Sequence, residues 1–186
     1  MIIGVGSVER GAGTTCVCLA FANFLCNKLG MKTAYIELNT TNQIRSLSKK
    51  NVTNSFCYFG IHMYPSTKVT SLNEILNRDF DCFILDMGVL TSYTAMEFSK
   101  CHKQFLVCDF SPWKKHLSLS KLKDLFQNSS INRENIMLLK TFENKSTGLL
   151  DLKKNTQAFP LLTNPFHLSV TEFSDLTQLL LKDTIH

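Results

Sequence analysis

Short apolar runs alternate along this chain with longer segments in which apolar residues recur at helical spacing. Apolar runs of this length, bounded by glycine, proline or polar residues, are typical of buried strands. The predicted strands cover residues 2–5, 33–37, 56–64, 79–88, 103–109 and 135–141. Strands that alternate with helices in this way are typical of an α/β domain with a mainly parallel sheet.

The predicted helices cover residues 17–29, 71–78 and 91–101, a segment that ends at Gln127, and a final segment after Pro165. Gly30 is positioned to cap the first helix, and Ser71 and Glu74 have the spacing of a capping box. The final helix is predicted to bury a face formed by Val170, Phe173, Leu176, Leu179 and Leu180. The polar segments 40–55 and 143–157 are predicted to be connections at the surface, and segment 40–55 could instead be a mobile switch.

The connection between the first strand and the first helix is rich in glycine. Gly6, Gly11 and Gly13 lie there and Gly4 lies in the strand before it, in a chain with 8 glycines. Glycine lets successive backbone N–H groups turn towards one point, and a helix that begins near Thr14 adds the positive end of its dipole. The connection is therefore predicted to bind a phosphate.

The segment from Glu9 to Cys16 resembles the phosphate-binding loop of the ParA/MinD family of P-loop ATPases, which reads Lys-Gly-Gly-x-Gly-Lys-Thr-Thr. Thr15 matches the family's magnesium-binding hydroxyl. The resemblance implies that ATP or ADP with Mg²⁺ is held by Arg10, Gly11, Ala12, Gly13, Thr14, Thr15 and Cys16. It extends in order over nearly the whole chain and implies one domain, residues 1–186, with a three-layer α/β/α P-loop NTPase fold that is Rossmann-like and has a mainly parallel central sheet.

Both lysines of the family's loop are replaced here. Thr14 stands where a lysine reaches the β- and γ-phosphates, and Glu9 stands where the signature lysine contacts nucleotide across a dimer. Arg10 is the nearby cation that could substitute. Because positive charge stabilises phosphoryl transfer, these replacements predict weak or absent hydrolysis.

Two acids follow strands that resemble the family's site strands. Asp86 ends an apolar strand like the Walker B strand and is predicted to hold Mg²⁺ together with Thr15. Glu37 ends the second strand, where the family has a catalytic aspartate, so Glu37 and Asp86 are the candidate catalytic residues. Glu37 could equally cap a loop or pair with a cation.

Two further positions bear on the site. Lys140 stands where many relatives have an asparagine that reads adenine, which weakens the prediction of adenine specificity. Trp113, the single tryptophan, follows a strand; the alternatives are a partner contact and a side chain that fills a gap over the sheet, and the second is favoured.

Composition adds three expectations. With 186 residues and 44% hydrophobic content, the chain can bury a substantial core. No apolar run approaches the ~20 residues of a membrane span, so the protein is predicted to be cytoplasmic without an integral membrane segment. Its 7 cysteines lie mostly in apolar segments and are predicted to be buried thiols.

The resulting functional hypothesis is a nucleotide-binding or pseudo-ATPase scaffold, dimeric and similar to the degenerate CpaE/TadZ proteins. Such proteins position pilus or secretion machinery through protein partners. Three alternatives stay open. These are an active ATPase that uses Arg10, a nonspecific DNA-binding protein of the partition type that exploits the net charge of +5, and a dinucleotide-binding protein based on Gly4 and Gly6. Glu9 at the third glycine position disfavours the last of these.

Overall fold

A sheet of eight strands forms the centre of the computed structural model, which describes residues 1–48, 54–129, 131–141 and 155–181. The strands are β1 (Ile2–Ser7), β2 (Thr33–Glu37), β3 (Phe56–Tyr58), β4 (Ile61–Tyr64), β5 (Cys82–Val89), β6 (Lys103–Cys108), β7 (Ile136–Lys140) and β8 (Thr156–Ala158). Their order is β3-β4-β2-β5-β1-β6-β7-β8. Only β3 and β4 pair antiparallel within the described sheet, which confirms the predicted mainly parallel arrangement.

Helices cover both faces of the sheet. They are α1 (Thr14–Asn23), which a π-helical turn (Phe24–Lys28) extends, α2 (Leu72–Leu76), α3 (Ser92–Ser99), α4 (Lys115–Asn128) and α5 (Val170–Leu181). Short 3₁₀ helices occupy Gln43–Leu47, Val69–Ser71 and Arg133–Asn135. Among the described residues, no helix has both the length and the apolar character needed to cross a membrane.

Strand alternation divides the core into two halves. On β2, Tyr35 packs in the cluster formed with α1 and α5, whereas Ala34 and Ile36 pack with α2, α3 and α4. Both faces of β2 are therefore buried, as the continuous apolar sequence of a parallel strand predicts. The result is the predicted three-layer α/β/α fold.

Four local expectations are wrong. Segment 56–64 is a hairpin, because Phe59 and Gly60 both have positive φ and reverse the chain between β3 and β4. Ser71 makes no side-chain capping bond to α2; the capping box lies instead between Thr91 and Thr94 at α3. Val170 is 87% exposed, outside the buried face of α5. Trp113 is 75% exposed and does not fill a gap over the sheet.

Other boundaries agree with the sequence pattern. Gly30 has a φ of 69° directly after the first helix, as expected of a C-terminal cap. Leu176, Leu179 and Leu180 bury one face of α5 in the core. Of the two polar connections, residues 49–53 and 142–154 lie outside the described residues, and β8 begins at Thr156, inside the segment predicted to be a connection.

The cysteines divide by burial, which confirms the predicted buried thiols for Cys18, Cys82, Cys101 and Cys108. Burial raises the pKa of both Cys82 and Cys101 to about 12. Cys57, in contrast, is exposed.

We expect Cys57 to be alkylated first in the native protein. Cys82 and Cys101 should react slower by about two orders of magnitude or more, because their thiols are both inaccessible and resistant to ionisation. A time course of iodoacetamide labelling at neutral pH, read by peptide mass spectrometry, measures the order. Labelling in denaturant is the control and should remove the difference; early native labelling of Cys82 would contradict the described burial.

Candidate functional site

The candidate site lies at the carboxyl ends of the central strands. In the parallel register, Asp86 of β5 is level with Val5 of β1 on one side and Glu37 of β2 on the other. The glycine-rich loop leaves β1 at the same edge and leads into α1. Ligands of open α/β sheets bind at this edge, so the topology brings the predicted site elements together.

The loop has the backbone conformation that its glycines permit. Gly11 and Gly13 have φ values of 75° and 97°, in the left-handed region, and Gly13 is the N-cap of α1. The first intrahelical bond runs from the N–H of Val17 to the carbonyl of Gly13, at 3.0 Å. The N–H groups of the first turn therefore have no partner within the helix. No acidic residue occupies that turn, so the positive end of the helix dipole faces the loop uncompensated.

A cavity of about 570 Å³, which we call the phosphate cavity, opens at the N-terminal end of α1. It is lined by Ser7 of β1, by the loop residues from Glu9 to Cys16 except Ala12, by Asn39, Thr40, Thr41 and Gln43 after β2, and by Gly88 and Val89 of β5. Ala12 is instead buried in the core beside α1. Of the predicted phosphate-binding residues, the structure thus places all but Ala12 at the cavity wall.

Asp86 lies behind this wall and accepts three hydrogen bonds. The hydroxyls of Thr15 and Tyr35 donate to its Oδ2 atom at 2.7 and 2.6 Å, and the N–H of Gly88 donates to Oδ1 at 3.1 Å. The Asp86 side chain is fully buried. Three donors orient the carboxylate and compensate for its removal from water. Thr15 and Asp86 are therefore in direct contact, and their role as Mg²⁺ ligands stays a prediction.

Sequence reasoning missed Tyr35. The side chain of Tyr35 is fully buried, including its hydroxyl group. Burial, together with the nearby Asp86 carboxylate, raises the pKa of Tyr35 well above its usual value. It remains a hydroxyl donor throughout the physiological range. Tyr35 precedes Glu37 by two residues, and a strand places such residues on the same face of the sheet. This spacing was the one signal in the sequence that Tyr35 lies near the site.

Glu37 is fully buried and serves as an acceptor for two loops. Its Oε1 atom accepts the N–H of Gln43 at 2.9 Å, and its Oε2 atom accepts the N–H of Ser66 at 3.0 Å. These bonds hold the segments that follow β2 and β4 against the sheet. The geometry supports the capping alternative for Glu37, and its catalytic role stays an untested prediction.

Glu9 lines the phosphate cavity, but its carboxylate is hydrogen-bonded to α4. It is 5% exposed, and its Oε1 atom accepts the hydroxyl of Ser118 in α4 at 2.6 Å. Lys114, at the start of α4, pairs with Asp109 at 3.0 Å. That hydrogen bond and, more weakly, Glu9 raise the pKa of Lys114. Glu9 therefore joins the loop to α4, and sequence reasoning gave no sign of this contact.

The positive groups near the cavity differ from those the resemblance implies. Thr14 is 7% exposed and lines the cavity, but its side chain is neutral. Arg10 is exposed at the rim and lines the same cavity. Backbone N–H groups, the helix dipole and Arg10 are therefore the sources of positive potential for an anion here.

The residues present fit a nucleotide phosphate with Mg²⁺. Gly11 has no heavy atom within 4 Å of the position that a Cβ atom would take, so the space over the loop is open. Thr15 and Asp86 supply the hard oxygen atoms that Mg²⁺ prefers, and Thr15 already directs its proton to Asp86, which leaves its oxygen lone pairs available. Such an ion would neutralise phosphate charge at the cavity.

Comparison with known proteins identifies the fold. No family model matches the sequence, and no curated protein is similar enough to count as a relative. A plasmid partition protein of Borrelia burgdorferi bound to AMPPNP matches at 18% identity with a TM-score of 0.65, covering 98% of both chains. Cobyrinic acid a,c-diamide synthase of Mycobacterium smegmatis with ADP and magnesium matches at 13% identity, TM-score 0.64, covering 99% of this chain and 95% of that one. MinD of Pyrococcus horikoshii with Mg-ADP matches at 12% identity with a TM-score of 0.63, and the match covers 100% of this chain and 98% of that one.

The fold and the glycine loop together define a P-loop NTPase fold with a mainly parallel eight-stranded sheet. Its structural neighbours include the partition and MinD proteins of the ParA/MinD family of ATPases.

Proposed function

We propose that this protein binds ATP or ADP with Mg²⁺ and hydrolyses it slowly or not at all, acting as a pseudo-ATPase scaffold or positioning factor. One observation carries the proposal. Thr15 donates a 2.7 Å hydrogen bond to Asp86 beside the open glycine-rich loop, and this arrangement supports a phosphate and metal site although both family lysines are replaced.

Loss of catalysis has a separate physical basis. Phosphoryl transfer needs positive charge fixed close to the transferring group, and Thr14 provides none. Glu9, bonded to Ser118, is buried on its own chain, which disfavours a contact across a dimer from this position. A site that binds nucleotide but lacks these charges is suited to a protein that changes state when nucleotide binds, and less suited to an enzyme that hydrolyses nucleotide repeatedly.

The proposed partners of this protein are a second copy of the chain and a protein of a localisation or assembly apparatus in the cytoplasm.

Isothermal titration with ATP and Mg²⁺ tests the proposal. We expect a dissociation constant in the micromolar range, weakened at least about tenfold by Thr15→Ala, because the variant loses the hydroxyl that joins Asp86 to the ligand. Thr171→Ala, at an exposed position of α5, is the matched control and should bind as the parent does. Absence of binding at millimolar ATP would refute the nucleotide role.

A second candidate function is active ATP hydrolysis that uses Arg10, since this side chain lines the phosphate cavity from its rim. If Arg10 supplies the missing charge, Arg10→Ala should abolish phosphate release while thermal stability stays unchanged. Arg45→Ala is a suitable control, because Arg45 is exposed on the 3₁₀ helix after β2 and does not line this cavity. Robust turnover sensitive to Arg10 alone would replace the pseudo-ATPase proposal with an active enzyme.

A further inference from the structure

A second cavity, which we call the side groove, adjoins the phosphate cavity between the carboxyl ends of β1, β2 and β5 and the helices α3 and α4. Its volume is about 770 Å³, within the range of small-molecule sites. The two cavities are continuous, because they share seven lining residues: Glu9, Arg10, Asn39, Thr40, Thr41, Gly88 and Val89. The side groove does not include Gly11 or Gly13 of the loop, and the nucleotide role leaves its apolar floor unexplained.

The floor of the side groove is apolar. Val8, Leu38 and Met87 line it and expose only 8%, 8% and 1% of their surfaces. They come from the ends of three neighbouring strands, so the sheet itself holds them in place. An apolar group laid on this floor would remove hydrocarbon surface from water, at about 25 cal/mol for each Å² buried.

The charged groups on the walls favour an anion. Arg10 approaches from the loop and Lys121 from α4. Among the described residues that line the side groove, Glu9 is the one acid, and Ser118 donates to its carboxylate from the side of α4. Two cations and one hydrogen-bonded carboxylate leave a net positive charge around an apolar floor.

We propose that the side groove binds a small carboxylic acid with an apolar body, placed beside the phosphate cavity. Its carboxylate pairs with Lys121 and Arg10, and its hydrocarbon part lies on Val8, Leu38 and Met87. A carboxylate suits this position better than a phosphate, because the inward-turned N–H groups that bind phosphate belong to the glycine loop and not to the side groove. The site shares Arg10 with the phosphate cavity but uses neither Thr15 nor the glycine residues of the loop.

Octanoate is the probe for this site. Octylammonium and 1-octanol have the same hydrocarbon tail, so they separate the contribution of the negative charge from that of the tail. The methyl group of Met87, observed by NMR in protein with ¹³C-labelled methionine methyls and assigned with Met87→Leu, reports occupancy of the floor. We expect octanoate to shift this signal with a dissociation constant of about 0.1–1 mM. The alcohol should bind more weakly and the ammonium ion more weakly still.

Lys121→Gln tests the wall of the site, and Lys123→Gln is its matched control. Lys123 is exposed on the same helix two residues later and does not line the side groove. We expect Lys121→Gln to weaken octanoate binding about five- to tenfold and Lys123→Gln to leave it unchanged. Equal binding by Lys121→Gln and the parent, equal binding of octylammonium, or an unshifted Met87 signal would each overturn the proposal.

Light scattering at the NMR concentration adds an independent check. A dimer that excludes octanoate would mean that a second copy covers the side groove, and this would also overturn the proposal. Repeating the titration with Thr15→Ala separates this inference from the nucleotide role. Octanoate should still bind to that variant, whether or not the parent protein binds ATP.

Discussion

Replacing Thr14 with lysine is expected to tighten the binding of ATP with Mg²⁺ about ten- to hundredfold. Thr14 lies at the first position of α1, and its side chain lines the phosphate cavity. A lysine ammonium there can donate to phosphate oxygens in a partly enclosed site, and a hydrogen bond to a charged group contributes about 1.5–3 kcal/mol. Titration of the two proteins with the same nucleotide under the same ionic conditions measures the gain.

The same substitution should slightly destabilise the protein without ligand. A cation at a helix N-terminus opposes the helix dipole by about 0.3–1 kcal/mol. Thr14→Met is the control, since methionine has a comparable length and no charge; it should not tighten binding. If Thr14→Met and Thr14→Lys bind nucleotide equally, the missing charge at this position is not what limits affinity, and the account given for the loop is wrong.

Asp86→Ala is expected to lower the free energy of unfolding by about 3–5 kcal/mol. Asp86 is fully buried and accepts bonds from Thr15, Tyr35 and Gly88. Alanine would leave three donors without this acceptor, and each unsatisfied buried donor costs about 1–3 kcal/mol. The Tyr35 hydroxyl is the most affected, because its side chain is fully buried. Equilibrium unfolding in urea measures the loss.

Asp79→Ala is the matched control for this substitution. Asp79 precedes the same strand, but its side chain is 99% exposed and pairs with Lys32 at the surface, so its removal should change stability little. Tyr35→Phe should cost less than Asp86→Ala, and the two changes should be non-additive in the double variant because they share one hydrogen bond. Strict additivity would mean that the Tyr35 and Asp86 side chains do not interact in solution.

Much of the fold follows from local patterns. Short apolar runs predict the parallel strands because both faces of such strands are buried, and glycine positions predict the loop because only glycine readily adopts the φ values found at Gly11 and Gly13. The resemblance to the ParA/MinD loop and to the Walker B strand predicts Thr15 and Asp86 as site residues, and the structure places Oγ1 of Thr15 2.7 Å from Oδ2 of Asp86. These features depend on neighbours that are close in the chain or on a regular register.

The directions of individual side chains depend on contacts with residues outside their own strand or helix. Glu9 belongs to the glycine-rich loop, yet its carboxylate accepts a hydrogen bond from Ser118 of α4, which lies 109 positions later in the sequence. Glu37 has the position of a catalytic acid, but the N–H groups of Gln43 and Ser66 engage both of its oxygen atoms. Tyr35 reaches Asp86 across neighbouring strands. No local periodicity encodes these pairings, because each forms only when the completed sheet and its helices bring the two partners within hydrogen-bonding distance.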